Sequence, residues 1–301
     1  MRKPDFFIVG ASRCGTTSMK TYLEKHPEIF MAPGREPHFF GTDLYLPSYI
    51  RDERTYLSLF AKAINEKRVG EKSIRYLSSK RAAAEIKEFQ PSASIIIMLR
   101  NPVEMIYSLH NLLFNRGIED LDDFKAALEA EEDRKRGLRL PMGLDSRVNW
   151  RVFYRDRARY TQQVNRFLNT FGREKVHIII FDDFVSQTAE VYRETLRFLM
   201  VNSDFQTHFQ KTNPGGRMLS RKLYTFMTSP PQLVRSFVQA AMPFSLIQRA
   251  TWGLINLNSC YFARPPINPE FKRQLQKEFL PEVEHLSKVL GRDLTHWCQS
   301  D

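Results

Sequence analysis

A segment near the start of the chain combines small residues, a positive charge and hydroxyl groups in one turn. After the apolar run 6–9 it reads Gly10-Ala11-Ser12-Arg13-Cys14-Gly15-Thr16-Thr17-Ser18. Small residues let backbone N–H groups approach an anion closely, and a helix that starts at the hydroxyl residues adds about half a positive charge at its N-terminus. Arg13 adds a full charge. The segment therefore predicts a cradle for a phosphate or sulfate group.

The two glycines, Gly10 and Gly15, have the separation found in a nucleoside-triphosphate P-loop. A P-loop continues with Lys and then Ser or Thr, whereas Thr16 and Thr17 follow Gly15 here. The missing Lys argues against a Mg-ATP phosphotransferase, because that Lys contacts the terminal phosphates. Two glycines in a strand-to-helix turn also occur without a ligand, so the anion site depends on Arg13 and the threonines.

Two candidates for proton transfer lie in the segment Gly34-Arg35-Glu36-Pro37-His38. His38 is a candidate because imidazole titrates near neutral pH. On residue type alone, Glu36 in a turn with Gly and Pro is more commonly a solvated loop residue. Lys72 follows a predicted strand end at 69–71 and would face either an anion or the solvent.

A second positive charge follows another apolar run. Arg100 comes directly after 95–99, Pro102 suits the first turn of a helix, and Ser108 lies about two turns into that helix. The spacing alone is weak evidence, because an Arg before an Asn-Pro turn is more commonly a surface charge. The segment 211–221, which contains Gly216 and Arg217, predicts by itself only a polar turn before a helix.

The apolar runs predict buried parallel strands, because helices on both faces of a sheet make its strands continuously apolar. Strands alternating with helices indicate an α/β fold, in which ligands bind beyond the carboxyl ends of the strands. Besides the runs above, 176–181 is a predicted strand. Helical patterns lie at about 16–26, 79–89, 103–115, 121–136, 151–171 and 187–200, with a last helix from Pro269 that ends at Gly291.

Composition limits the class of protein further. The 301 residues are 42% hydrophobic and 26% charged, which indicates a folded globular chain, and the net charge of +11 favours a polyanionic partner. The basic residues are dispersed among acidic ones, which disfavours a nucleic-acid-binding protein. Three distant cysteines indicate neither a disulfide framework nor a metal site. No uncharged stretch reaches the roughly 20 residues of a membrane span, so we expect a cytoplasmic protein.

The first loop resembles that of the sulfotransferases that use 3′-phosphoadenosine 5′-phosphosulfate (PAPS), particularly the bacterial and heparan-sulfate-type branch. Their loop reads Lys-x-Gly-Thr-Thr, and Arg13-Cys14-Gly15-Thr16-Thr17 matches it with Arg in place of Lys. The resemblance implies that Arg13, Cys14, Gly15, Thr16, Thr17 and Ser18 bind the 5′ end of the donor. It further implies that Arg100 and Ser108 bind the 3′ phosphate, and that Gly216 and Arg217 close over the nucleotide.

The resemblance also implies catalytic roles. Glu36 would be the base that deprotonates the acceptor, with His38 as the second choice, and Arg13 and Lys72 would stabilise the leaving group. The expected reaction moves the sulfuryl group to a hydroxyl of a carbohydrate, lipid or small metabolite without a metal, and releases adenosine 3′,5′-bisphosphate. A nucleotide-dependent phosphotransferase on the same scaffold and a non-enzymatic polyanion-binding protein are the alternatives.

For the architecture, the resemblance implies a single P-loop-like three-layer domain over 1–301, with a central mostly parallel sheet flanked by helices. The segment 119–147 is expected to be a charged helical insertion, most simply a solvated helix or lid. The segment 220–301 is expected to be a C-terminal helical extension packed on the core. Within it, 231–263 mixes Arg with large apolar residues, so peripheral contact with a membrane or lipid stays open beside a packed helix. Oligomeric state and acceptor identity also stay open.

Overall fold

The structure is a computed structural model that describes residues 2–46, 48–210, 217–218, 259–260 and 265–299. The chain forms two compact units. The first comprises Met1–Ile106, Arg155–Thr212 and Glu270–Asp301, and the second comprises Tyr107–Tyr154 and Asn213–Pro269.

A five-stranded parallel sheet forms the centre of the first unit, with the strand order β2-β3-β1-β4-β5. The central strand β1 is completely buried, which explains its unbroken apolar sequence. Gly70 on β3 lies opposite Phe6 on β1, and a Cβ atom there would come within 2.2 Å of the Phe6 ring. The strands are β1 Phe6–Gly10, β2 Ile29–Met31, β3 Arg68–Lys72, β4 Ser94–Leu99 and β5 Val176–Ile180.

Helices follow the strands in chain order. They are α1 Thr16–Leu23, α2 Glu53–Ser58, α3 Ala82–Phe89, α4 Pro102–Asn115, α5 Phe124–Glu129, α6 Glu131–Lys135, α7 Tyr154–Ala158, α8 Tyr160–Phe171, α9 Phe181–Ser186, α10 Thr188–Phe198 and α11 Pro269–Leu290. Short 3-10 turns lie at Asn149–Val152, Arg173–Lys175 and Thr295–Cys298. Two short antiparallel strands, β6 Arg217–Met218 and β7 Ser259–Cys260, form a separate pair.

The predicted α/β class with a parallel sheet is confirmed, and the differences are local. Strand β2 was not predicted, because three residues are too few to give a clear apolar run. The run 176–181 predicted a strand through Phe181, but Phe181 begins α9. The pattern 151–171 predicted one helix, whereas the structure has a 3-10 turn, α7 and α8 there. Helix α8 ends at Phe171, and Gly172 follows it with a positive φ of 83°.

The charged segment 119–147 differs from a uniformly solvated helix. It contains the short helices α5 and α6, and the side chains of Glu119 and Arg134 have no exposed surface. The sequence pattern correctly indicated helices here, but it did not indicate the buried ion pair of Glu119 and Arg134 around which the segment is organised. Its role as a lid, the single-domain organisation and the packing of 220–301 stay predictions, and 219–258 lies outside the described residues.

Candidate active site

The loop after β1 has the backbone geometry of an anion cradle. It leads into α1, whose N-cap is Gly15 with a φ of 84°, and Arg13 also has a positive φ, of 65°. Gly15 has no side chain with which to cap the helix, so the amide end of α1 is left to a ligand or to solvent. A Cβ atom at Gly15 would lie 3.0 Å from the Phe184 ring, so the packing also favours glycine.

Cys14 lies in this loop but is not suited to nucleophilic chemistry. Its side chain is completely buried, and its thiol donates a hydrogen bond to the carbonyl oxygen of Ser12 at 3.3 Å. Burial raises the pKa of the Cys14 thiol to about 12. The thiol is therefore neutral near pH 7, and Cys14 serves as a small residue of the loop.

Glu36 is the centre of a charged network at the carboxyl edge of the sheet. Its Oε1 lies 2.7 Å from Nζ of Lys72, the last residue of β3, and its Oε2 lies 2.9 Å from Nε2 of His38. Nζ of Lys72 also donates to Oγ1 of Thr17 at 3.1 Å. The backbone N–H of Ile74 donates to Oε2 of Glu36 at 3.4 Å. Lys72 thus contacts both the anion loop and the carboxylate.

The electrostatics of this network favour an ionised Glu36 and a neutral His38. Burial raises the pKa of Glu36, but the hydrogen bond from His38 and the charge of Lys72 outweigh it and lower the pKa to about 2. Burial lowers the pKa of His38 despite the carboxylate beside it. Because a neutral ring has one N–H and Nε2 contacts Glu36, His38 carries its hydrogen on Nε2. Glu36 keeps 22% of its side chain exposed, so an acceptor can reach it.

A second carboxyl group, Glu71, lies behind the network and was not predicted as part of it. The backbone N–H of His38 donates to Oγ of Ser73 at 3.0 Å, and Oγ of Ser73 lies 3.5 Å from Oε2 of Glu71. Burial raises the pKa of Glu71 to about 8, and the charge of Glu36 adds to the effect. The sequence signal was an acidic residue at the predicted strand end 69–71.

Arg100 provides a separate positive charge where β4 ends. Its guanidinium lies 4.8 Å from the ring centroid of Phe181, and its Nη2 lies 3.3 Å from Oε2 of Glu104. Three-quarters of the Arg100 side chain is buried, so a bound anion would interact with it in a partly desolvated setting.

The remaining predicted ligands lie elsewhere in the chain. Ser108 is a buried residue of α4, in the portion that belongs to the second unit. Arg217 begins β6 and pairs with Cys260 of β7 through the backbone, and Gly216 lies outside the described residues. Their roles in nucleotide binding stay predictions.

Arg157 is a charged residue beside the loop that no sequence motif indicated. It is 7% exposed and lines a small pocket together with Ala11, Ser12 and Met105. Arg157 thus brings a buried positive charge to the neighbourhood of the anion loop. The helix pattern around 151–171 gave no reason to select it.

Within the described ranges, no group of three His, Cys, Asp or Glu side chains is arranged to hold a metal ion. The described helices include none that is both long enough and apolar enough to span a membrane. The expected cytoplasmic location stays a prediction.

Comparison with known proteins identifies the family. The model of the sulfotransferase domain family matches residues 3–222. The chain belongs to the sulfotransferase domain family. A crystal structure of a sulfotransferase from Alicyclobacillus acidocaldarius superposes with a TM-score of 0.75 at 29% identity, over 99% of this chain and 100% of that one. The predicted family and the P-loop-like fold are therefore confirmed.

Two curated sulfotransferases are similar over about two thirds of the chain. The membrane-associated sulfotransferase kil1 of Dictyostelium discoideum is 24% identical over 70% of this chain. The bifunctional heparan sulfate N-deacetylase/N-sulfotransferase 1 of Caenorhabditis briggsae is 26% identical over 69% of this chain. The matches span 59% and 24% of the length of these two relatives.

Proposed function

We propose that this sulfotransferase moves the sulfuryl group of PAPS to an acceptor hydroxyl by in-line displacement. The observation that carries the proposal is the double contact of Lys72, 2.7 Å from the Glu36 carboxylate and 3.1 Å from Thr17 of the anion loop. It joins a base to the place where a leaving phosphate would lie. Such a pairing serves group transfer, in which proton removal and charge stabilisation must occur a few ångströms apart.

The anion loop would bind the 5′ phosphosulfate. The amide end of α1 and the guanidinium of Arg13 supply positive charge, and Thr16, Thr17 and Ser18 supply hydroxyl donors. As the acceptor oxygen bonds to sulfur, the bond from sulfur to the bridging oxygen breaks and its electron pair stays on the 5′ phosphate. Lys72 and Arg13 stabilise that charge.

Glu36 would take the acceptor proton. A carboxylate with a pKa of about 2 is a weak base, and the Lys72 charge is one reason for the low value. When the leaving phosphate gains negative charge, it competes for Lys72, and the proton affinity of Glu36 rises as that charge is shared. Base strength would then increase as the reaction proceeds. His38 fixes the carboxylate through Oε2 and, being neutral, leaves the proton to Glu36.

Arg100, with Ser108 and Arg217, would bind the 3′ phosphate and so exclude ATP, which lacks that group. For the acceptor we propose a carbohydrate hydroxyl first, because the relatives include the human heparan sulfate glucosamine 3-O-sulfotransferase 6 and the mouse carbohydrate sulfotransferase 15. Lipid and small-metabolite hydroxyls are the second choice. The reaction as proposed uses no metal and no nucleic-acid partner.

The test is incubation with ³⁵S-labelled PAPS and a panel of glycan, lipid and small alcohol acceptors, in the presence of EDTA. We expect label on at least one acceptor and stoichiometric release of adenosine 3′,5′-bisphosphate. A thermal-shift comparison should show stabilisation by adenosine 3′,5′-bisphosphate and little by ATP. Magnesium-dependent transfer from γ-labelled ATP, with none from PAPS, would replace this proposal by the phosphotransferase.

A further inference from the structure

The C-terminal turn of the chain contacts the segment that carries Arg100. The side-chain amide of Asn101 donates a hydrogen bond to the carbonyl oxygen of Trp297 at 2.9 Å, across 196 positions of sequence. The carbonyl of the same amide accepts from the backbone N–H of Val103 at 3.0 Å and lies 3.4 Å from that of Glu104. Asn101 therefore caps α4 with one end of its amide and holds the C-terminal turn with the other.

Trp297 is itself held by α9, the helix that follows β5. The ring is 2% exposed, and its Nε1 donates to Oδ2 of Asp182 at 2.7 Å. Asp182 follows Phe181, the residue whose ring lies 4.8 Å from the guanidinium of Arg100. The contacts thus close a ring that runs from Arg100 through Phe181, Asp182, Trp297 and Asn101 back to Arg100.

The turn that holds Trp297 is firmly anchored. The backbone N–H of Trp297 donates to the carbonyl of Leu294 at 2.9 Å, and Leu294 is completely buried. The N–H of Leu294 donates to Oγ of Ser287 on α11 at 3.1 Å. Both ends of the Asn101 amide are hydrogen-bonded to partners that are themselves fixed, so this side chain has little freedom. The turn between β4 and α4 is therefore held in one geometry.

We propose that Trp297 is a positioning residue for the anion site at the end of β4, acting through Asn101 and Asp182 to hold Arg100 ready for a phosphate. The inference rests on the proposed function, in which Arg100 binds the 3′ phosphate of the donor. Preorganisation of this kind increases affinity because the side chain loses less freedom on binding. Trp297 itself does not touch the ligand.

The test measures the dissociation constants of adenosine 3′,5′-bisphosphate and adenosine 5′-monophosphate by calorimetry. Trp297→Phe keeps an aromatic ring but removes the N–H that Asp182 accepts. Asn101→Ser keeps a capping oxygen for α4 but removes the donor to Trp297. Each substitution should raise the dissociation constant of the bisphosphate about fivefold, as expected for one hydrogen bond of about 1 kcal/mol. The dissociation constant of the monophosphate should change less than twofold. His285→Gln, on the exposed face of α11 and outside this ring of contacts, is the control without an effect.

A double variant separates positioning from general damage. Because both substitutions break the same ring of contacts, Trp297→Phe with Asn101→Ser should lose clearly less than the product of the single losses. The inference would be overturned, while the proposed function stands, if the variants bound both nucleotides equally more weakly. It would also be overturned if both variants kept the wild-type ratio of the two dissociation constants. A wild-type protein that binds the two nucleotides equally would overturn the 3′ phosphate assignment and the inference together.

Discussion

Two carboxylates in this protein, Glu36 and Glu119, have similar partners in different settings. Glu119 accepts two hydrogen bonds of 2.7 Å from Arg134 and a third of 2.7 Å from Tyr154. Glu36 contacts Lys72 and His38 at 2.7 and 2.9 Å. Burial raises the pKa of both carboxyl groups, but the hydrogen bonds that each accepts and the charge of its cation outweigh it and lower the pKa.

The difference lies in the chemistry of the partners and in access. Arg134 and Glu119 are completely buried, and a guanidinium keeps its proton at any ordinary pH. Glu36 is partly exposed, at the carboxyl edge of a parallel sheet, and its cation Lys72 also contacts Thr17 of the anion loop. Pairs of an acid with a cation therefore occur both in structural and in functional positions. Exposure and the nature of the cation distinguish the functional pair from the structural one.

The largest effect is expected where the pair is structural. Glu119→Gln leaves the buried Arg134 without its bidentate partner, so the free energy of unfolding should fall by about 3–5 kcal/mol. Urea denaturation measures it. Asp145→Asn, which weakens the exposed pair with Arg147 in the same unit, should leave stability close to that of the wild type. The specific activity of the folded Glu119→Gln protein should match wild type, and a large loss of turnover would contradict the structural role.

Glu36→Gln should have the opposite profile. Removing the base should lower turnover on the order of 100-fold or more, because the acceptor oxygen then attacks with its proton still attached. Affinity for adenosine 3′,5′-bisphosphate should stay within about twofold of wild type. Initial rates with PAPS and calorimetric titration measure the two quantities. Glu88→Gln, on the exposed face of α3, is the matched control. Turnover that survives in Glu36→Gln would transfer the role of base to His38.

Glu71 is a third acid, fully buried and with no cation among its described contacts. Its pKa of about 8 in the folded protein exceeds the ordinary value of 4.5, so the folded state binds the proton more tightly. Stability from this group is complete below about pH 4.5 and is lost as the pH rises towards 8. Glutamine does not ionise. The free energy of unfolding of Glu71→Gln, relative to that of the wild type, should therefore be higher at pH 9 than at pH 5.

We expect a relative gain of about 1–2 kcal/mol for Glu71→Gln, because water entry and side-chain relaxation reduce the full effect of the pKa shift. Thermal unfolding at the two pH values measures it. Glu88→Gln should show no such difference. An unchanged stability difference across the pH range would mean that Glu71 ionises normally in the folded protein.

The strands and the loops that follow them were predictable from sequence, because β1 and β4 are apolar and fully buried and β5 is apolar and mostly buried. The contact between Glu36 and Lys72 was not predictable from spacing. It depends on β2, only three residues long, which pairs with β3 and brings the loop around Glu36 to the end of β3. The two residues were selected separately through the resemblance. Their proximity is a property of strand order, which local patterns do not encode.

Residues outside motifs were missed for a different reason. Arg157 and Trp297 come close to the loop and to Asn101 only through tertiary packing, and each has the sequence surroundings of an ordinary helix or turn. The pair of Glu119 and Arg134 was interpreted as surface charge, because charged residues are usually solvated. The structure corrects that interpretation because it shows that both partners are buried and paired with each other.

The smallest effect is expected at Arg13, where this chain departs from the Lys of its relatives. Both side chains carry one positive charge, and both must adopt the left-handed φ of 65° seen for Arg13, so the backbone strain is the same in either protein. Arg13→Lys should therefore change turnover and the KM for PAPS by no more than about threefold. Arg13→Met has similar bulk without the charge and should lose about 100-fold in turnover. If Arg13→Lys lost as much turnover as Arg13→Met, the bidentate hydrogen bonding of the guanidinium would be required here, and a positive charge alone would not be enough.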